Sequence, residues 1–316
     1  MINAPLVSVI IPNYNHAPYL EQRINSVLNQ IYKNFELILL DDCSTDNSRD
    51  IIEQYRHHVK VSHVVFNEEN SGSTFHQWDK GIALAKGDYI WIAESDDWCE
   101  PSLLQTLVDG LVTNPSCTVA YCQSFYVRNG NEVFYHTHTP QLAECMNGMD
   151  YVNKYLIYHS TIYNASMVIF SKHTYQSIAK DYMNFHFCGD WVFWSEMVSQ
   201  GDVFISGKLL NYFRSHDTDV STGMYKSGNS FIEQFRCLLL LKKRFSISDD
   251  IYRKALSHYT TLFFTQKKNF TRTVVTAAEN LLDKADNKKH KLYLRTSWLM
   301  NRMREKVSRS FGLSYE

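Results

Sequence analysis

The 316-residue chain has no CxxC pair, and its seven cysteines, at positions 43, 99, 117, 122, 145, 188 and 237, form an odd set. This argues against a disulfide framework and against a zinc site, and it fits a reducing cytosol. No apolar run approaches the ~20 residues that a membrane-spanning helix needs. No Lys or Arg precedes the first apolar run, so a signal-peptide layout is missing. The expectation is a cytoplasmic protein, soluble or peripheral at the inner face of a membrane. The formal net charge of -1 provides no global field to recruit nucleic acid. Internal repeats and low-complexity tracts are absent. No GxGxxG and no GxxxxGK(S/T) follows a strand-like run, which disfavours a dinucleotide fold and a P-loop.

What is present is apolar and aromatic. Hydrophobic residues make up 44% and aromatics 14%, enough for a real core. Leu6–Pro12 and Phe35–Leu40 are continuous apolar runs, the pattern of parallel strands covered on both faces. Val61–Phe66 and Tyr89–Ala93 read as further strands. Helical spacing runs from Pro18 to about Gln30, through Ile51, Ile52 and Tyr55, and from Thr74 to Ala85 with Gly87 as its C-cap. Thr45, Asp46 or Ser48 caps the second of these. The resulting β-α-β-α-β-α-β order predicts an α/β fold with a mostly parallel central sheet flanked by helices.

Further along, Pro101–Thr113 reads as a helix and Thr118–Tyr126 as a strand. Asn129-Gly130 reads as a hairpin turn leading to Glu132–Tyr135. His136 and His138 read as solvent-facing. Met149–Tyr158 reads as a helix, Ser166–Phe170 as a strand and His173–Ala179 as a helix. Asp190 lies near the start of another helix. Val203–Ile205 and Leu209–Phe213 read as two short strands, and Arg214 to Gly223 as a polar loop. From Phe231 on the pattern is helical, which divides the chain into a catalytic domain at 1–225 and a helical extension at 226–316.

Ligands of open parallel sheets bind at the carboxyl ends of strands. Three polar clusters fall there: Asn13 to His16, Asp41 to Asp46, and Glu94 to Asp97. The last crowds three carboxylates into four positions. Two carboxylates about 4 Å apart repel by roughly 4 kcal/mol at an effective dielectric of 20. A divalent ion with oxygen ligands would offset that, and Mg²⁺ or Mn²⁺ takes one or two carboxylates plus substrate phosphates. The bland alternative is an acidic turn ahead of the helix at Pro101-Ser102.

Val7 to Asn15, Ile38 to Asp46, Lys86 to Ile90 running into Glu94-Ser95-Asp96-Asp97, Gly189-Asp190-Trp191, and Tyr212 to His216 occur in a set order over residues 5–221. In that order they resemble the inverting family 2 glycosyltransferases of the GT-A fold, of the bacterial polysaccharide type. The resemblance implies a nucleotide-sugar donor, UDP-sugars favoured, and a glycan or lipid-linked glycan acceptor. It implies that Pro12, Tyr14 and Asn15 line the nucleoside and that Asp42 accepts from uracil N3–H. Glu94, Ser95 and Asp96 fall at the D-x-D positions that touch the donor. Mn²⁺ or Mg²⁺ would be held by Asp96, Asp97 and His216. Asp190 falls at the general base, and Arg214 and His216 in the loop that folds over the diphosphate.

Four departures stand out. Glu94 replaces the first Asp. Cys43 replaces a Gly, so no special backbone angle is expected there. Gln77-Trp78-Asp79 replaces Ala-Arg-Asn, and the missing Arg's contact to diphosphate falls to Lys80 or Arg214. Gly189 replaces a Glu.

Two other readings stay open. A nucleotidyltransferase would want a Gly-rich, basic signature after the first strand. A non-catalytic nucleotide-sugar or metal-binding module would not need Asp190. At the end of the chain, Lys288, Arg295, Arg302 and Lys306 interleave with Leu292, Trp298 and Met303. Such a basic amphipathic pattern suits an anionic membrane surface through 286–316, or a helix packed on the catalytic domain.

Overall fold

The computed structural model describes residues 4–128, 131–215 and 220–285. The expected tail contact at 286–316 and the position of His216 lie outside the described residues. Two compact units are formed, Met1–Asp217 and Thr218–Glu316.

The first unit runs β1 (Val7–Asn13), α1 (Ala17–Leu28), β2 (Phe35–Asp41), α2 (Ser48–Tyr55), β3 (Val61–Phe66), α3 (Thr74–Leu84) and β4 (Tyr89–Ile92). It continues through β5 (Trp98–Cys99), α4 (Leu103–Thr113), β6 (Cys117–Arg128), β7 (Glu132–His136), β8 (Ala143–Met146), α5 (Gly148–Tyr151) and a π-helix at Val152–Leu156. β9 (Val168–Ser171), α6 (Lys172–Ser177), α7 (Gly189–Val198) and β10 (Asp202–Arg214) complete it.

The main path of the sheet is β3-β2-β1-β4-β9-β6-β10-β5. Its N-terminal half is parallel: β1 pairs with β2 and β4, and β2 with β3. Every residue of β1 and β2 is buried, which is why both read as unbroken apolar runs. Beyond β4 the directions mix. β9 runs antiparallel to both β4 and β6, while β6 and β10 are parallel.

The β1–β4 ladder stops at Ile10 and Ile92. Pro12, one turn of the pleat further on, has no β4 partner to miss its absent N–H. β1, β2 and β4 therefore end side by side, with Asn13, Asp41 and the Glu94–Asp97 loop at one rim.

Several expectations are corrected. Gly87 does not cap α3; the helix ends at Ala85 in extended conformation. Gly87 is needed instead for close approach, because a Cβ there would lie 2.6 Å from the Ser8 backbone nitrogen. Asn47 occupies the N-cap of α2 without a side-chain bond, and Asp46 Oδ1 accepts from the Ser48 N–H at 3.0 Å. The helix expected at Met149–Tyr158 is a single α turn followed by the π-helix. The two short strands expected after Gln200 are one, β10, with register shifts between Ile205 and Asn211. The polar loop expected up to Gly223 is helical from Val220.

The described residues of the second unit form α8 (Val220–Ser227), α9 (Asn229–Arg244), α10 (Asp249–Gln266) and α11 (Arg272–Ala285). Its core forms around Phe231 and Phe235 of α9, which meet Phe263 of α10 at 5.6 and 5.9 Å between ring centres. Among the described residues no helix is long and apolar enough to cross a membrane.

Candidate active site

The acidic loop after β4 divides its carboxylates between two directions. Asp97 turns inward and is buried. Its Oδ2 accepts from the Asn164 amide at 2.6 Å and its Oδ1 from the Arg214 backbone N–H at 2.9 Å. Burial pushes its carboxyl well above the ordinary range, the neighbouring Asp96 adds to this, and the Arg23 charge opposes it. Both oxygens of Asp97 thus serve the protein, which argues against the direct metal contact expected of it.

Glu94 and Asp96 are half-buried. Glu94 Oε1 accepts from the Trp78 indole N–H at 2.9 Å. Burial, and then the Asp96 charge, push the Glu94 carboxyl up to about 7. This pair fits a hard divalent ion: two neighbouring carboxylates offer oxygen donors, and the Asp96 charge adds to the upward push on Glu94. Among the described residues no group of three or more His, Cys, Asp or Glu side chains is arranged to hold a metal. The donor set matches an ion completed by substrate oxygens rather than one caged by protein. Ser95 is buried, with its hydroxyl 2.8 Å from His16 Nδ1.

At the end of β2, neighbouring aspartates again diverge. Asp41 Oδ1 accepts from the Ser44 N–H at 3.0 Å and from Arg49 Nε at 2.9 Å. Asp42 organises residues 67–77. Its Oδ1 accepts from the Asn67 amide at 2.6 Å, the Ser71 N–H at 2.9 Å and the Gln77 amide at 2.9 Å. Its Oδ2 accepts only the Ser71 hydroxyl, at 2.7 Å, among the described residues. That oxygen keeps acceptor capacity for a further N–H.

Pro12 is buried, and Tyr14 is 48% exposed beside it. Asn15 takes a left-handed φ of 56°, and its Oδ1 accepts from the Thr45 N–H at 2.7 Å, joining the loops after β1 and β2. Cys43 also sits at a left-handed φ, 63°, against the expectation that it would not. The Asp41–Ser44 turn forces the angle. Lys80 is exposed and donates to the Asn67 side chain.

Arg214 is buried rather than held out over a ligand. Its Nε donates to the Asp96 carbonyl at 2.9 Å and its Nη2 to Gln22 at 3.1 Å. The guanidinium carbon lies 4.4 Å from the Tyr19 ring centre and 4.7 Å from that of Trp98. Arg214 therefore fixes the backbone of the acidic loop.

Asp190 is half-buried in the first turn of α7, and its Oδ1 accepts from the Trp191 N–H at 2.7 Å.

One helix links these groups. On α3, Gln77 holds Asp42, Trp78 holds Glu94, and Phe75 packs where a side chain on Gly189 would have to go, 2.2 Å from the Cβ position. Trp78 also lies 6.2 Å from Trp194 of α7, between ring centres. This explains two departures. Trp78 stands in place of an Arg and bonds to Glu94, and Gly189 lets the N-terminus of α7 approach α3. Sequence reasoning missed Gln77, Asn164 and Arg23. Arg23 is fully buried, with its guanidinium 5.0 Å from the Trp91 ring and its three nitrogens without a hydrogen-bond partner among the described residues. The signal was present, since Arg23 falls on the same stripe of α1 as Leu20, Ile24 and Val27.

The family model described as glycosyl transferase family 2 matches residues 8–178. Over 138 residues the chain is 36% identical to the putative teichuronic acid biosynthesis glycosyltransferase TuaG of Bacillus subtilis, covering 43% of this chain and 54% of TuaG. It is 35% identical over 136 residues to the glycosyltransferase GlyG of Streptococcus pneumoniae, covering 42% and 44%. The matched stretch spans about half the length of these curated relatives.

Among solved structures, S. aureus TarS 1-349 in complex with UDP-GlcNAc superposes with a TM-score of 0.70 at 20% identity, covering 98% of this chain and 93% of that one. The mannosyltransferase PcManGT of Pyrobaculum calidifontis, in complex with GDP-Man and Mn²⁺, gives 0.55 at 13% identity, covering 95% and 86%. At these identities the likeness speaks for the fold alone, and it is the α/β fold with a flanked central sheet that the strand order describes.

Proposed function

The chain belongs to glycosyl transferase family 2, and from that premise we propose that it moves a sugar from a nucleotide-diphosphate donor to a hydroxyl of a glycan or lipid-linked glycan, with inversion at the anomeric carbon. UDP-sugars are the favoured donors, and polysaccharide biosynthesis is the setting. The observation that carries the proposal is the meeting of Asp42, Glu94 and the Gly189-Asp190 turn around α3. Three loops far apart in sequence are tied to about one turn of one helix, at Phe75, Gln77 and Trp78.

In this reading Asp42 Oδ2 accepts the base N–H, while Tyr14 and Asn15 border the nucleoside. Glu94 and Asp96 would hold the divalent ion, Mn²⁺ or Mg²⁺, which when bound supplies positive charge to the departing diphosphate. Asp97 and Arg214 keep the backbone of that loop in place. Asp190 takes the proton from the acceptor hydroxyl. The freed oxygen then forms its bond to the anomeric carbon, on the side opposite the bond to the diphosphate. That second bond breaks with its electron pair going to the nucleoside diphosphate. One displacement with one base gives inversion, and such base catalysis contributes ~10²–10⁴-fold.

The test is nucleoside diphosphate release from a panel of UDP-, GDP-, dTDP- and CDP-sugars with Mn²⁺ and glycan acceptors. At least one donor is expected to turn over, with an inverted product by NMR. Retention of the anomeric configuration would refute the single-displacement reading.

A further inference from the structure

A second cavity, of about 230 Å³, shares no lining residue with the donor-side groups. Five tyrosines line it, Tyr121, Tyr135, Tyr151, Tyr155 and Tyr163, together with Glu144. It opens where β6 changes partners, pairing with β9 at Val119–Tyr121 and with β7 from Phe125 onward. Tyr121 and Gln123 point from β6 to one face there, by strand alternation.

The floor is fixed. Tyr151 donates to the Tyr121 hydroxyl at 2.9 Å, and its own hydroxyl lies 2.6 Å from that of Thr161. Both tyrosines are buried. The rim is open, with Tyr135 51% and Tyr163 38% exposed. Those two rings lie against Tyr126, at 5.2 and 6.1 Å between centres.

Two connections tie this cavity to the acidic loop and to Asp190. Tyr163 precedes Asn164, whose amide donates to Asp97. Tyr151 immediately precedes the π-helix and Tyr155 lies on it, and the Leu156 carbonyl at its end accepts from the Trp191 indole. The Trp191 backbone N–H in turn holds the Asp190 carboxylate. A π-helix is a rare element, found disproportionately at functional sites.

We propose that this cavity is an acceptor subsite that binds one sugar ring of a glycan. The proposal rests on the transferase reading of the neighbouring site. A pyranose has an apolar face and a rim of hydroxyls. Tyrosine offers the matching flat face with a polar tip, and Gln123, Thr161 and Glu144 add hydrogen-bonding groups. The volume falls below the roughly 300–1,000 Å³ of sites for drug-sized ligands, which suits one ring rather than several. Among the described residues no Lys or Arg lines the cavity, so a phosphate-bearing ligand fits it poorly.

The test uses the full chain and a panel of methyl glycosides (gluco, galacto, N-acetylgluco, rhamno and glucurono) in saturation-transfer NMR. At least one glycoside is expected to receive saturation. The double variant Tyr135→Ala/Tyr163→Ala is expected to weaken its binding by about tenfold or more, and Tyr163→Phe, which keeps the ring face, to retain it. Both substituted rings are exposed, so melting curves are expected to show the variants folded. No saturation of any glycoside by the wild type, or equal saturation by wild type and double variant, overturns the proposal. Nucleotide-sugar thermal shifts, run in parallel, test the transferase reading separately, since the glycoside measurement needs no donor.

Discussion

Glu94→Gln is expected to make the metal-free protein less sensitive to alkaline pH. Glu94 sits half-buried beside Asp96, and its carboxyl is pushed from 4.5 up to about 7. A carboxyl whose folded-state pKa is raised holds its proton more tightly in the folded chain than in the unfolded one. The stability this contributes is complete below about pH 4.5 and is lost as pH rises through about 7. At 1.36 kcal/mol per pKa unit, the shift corresponds to a loss of about 3 kcal/mol at most. Gln removes the titration and can still accept from the Trp78 indole through its amide oxygen. The assay is urea unfolding at pH 5 and pH 8 with EDTA present. The wild type is expected to lose up to about 3 kcal/mol more than the variant between the two pH values. Asp97, shifted in the same direction, leaves a residual slope in both. Identical pH profiles for the two proteins would refute a raised Glu94 carboxyl.

Other substitutions separate the roles of individual residues. Asp190→Asn is expected to leave donor affinity within about twofold while lowering turnover by 10² or more, measured by calorimetry and by nucleoside diphosphate release. Asp42→Asn puts an uncharged amide where the Asn67, Ser71 and Gln77 donors converge. A loss of about 3 kcal/mol in unfolding free energy is expected, together with weakened nucleotide binding; unchanged stability would deny that Asp42 organises residues 67–77. Gly87→Ala drives a methyl group to 2.6 Å from the Ser8 backbone nitrogen of β1 and 2.7 Å from the Leu6 carbonyl just before it. It is expected to cost at least about 2 kcal/mol by thermal melting, with no specific effect on donor affinity.

The N-terminal half of the sheet was legible because its signals are local. β1 and β2 are buried on both faces, so their apolar runs have no alternation to misread. The strand ends carried their polar clusters in plain view, and the order of those clusters pointed to one rim. Long-range features were hidden. Nothing local distinguishes Asp97, turned inward to Asn164 and the Arg214 backbone, from Asp96 beside it. Gly87 reads as a helix cap until Ser8, 79 positions away, is seen against it. Cys43 reads as ordinary because the Asp41–Ser44 turn that sets its angle depends on both loops closing together. The antiparallel β7 beside β6 was legible as a hairpin, whereas β9, antiparallel to β4 and β6, comes from a chain reversal that periodicity does not encode. Trp78 looked like a lost arginine, and its bond to Glu94 gives that position a different task.

Calorimetric titration of nucleotide sugars into the wild-type chain, with Mn²⁺ and again with EDTA, measures the central interaction itself. One nucleotide class is expected to bind with a stoichiometry near one and to weaken by at least about tenfold when the metal is removed or when Glu94 and Asp96 are replaced together by their amides. A folded protein that binds none of the UDP-, GDP-, dTDP- or CDP-sugars, or that binds one equally well after the double replacement, would contradict a donor site at the ends of β1, β2 and β4.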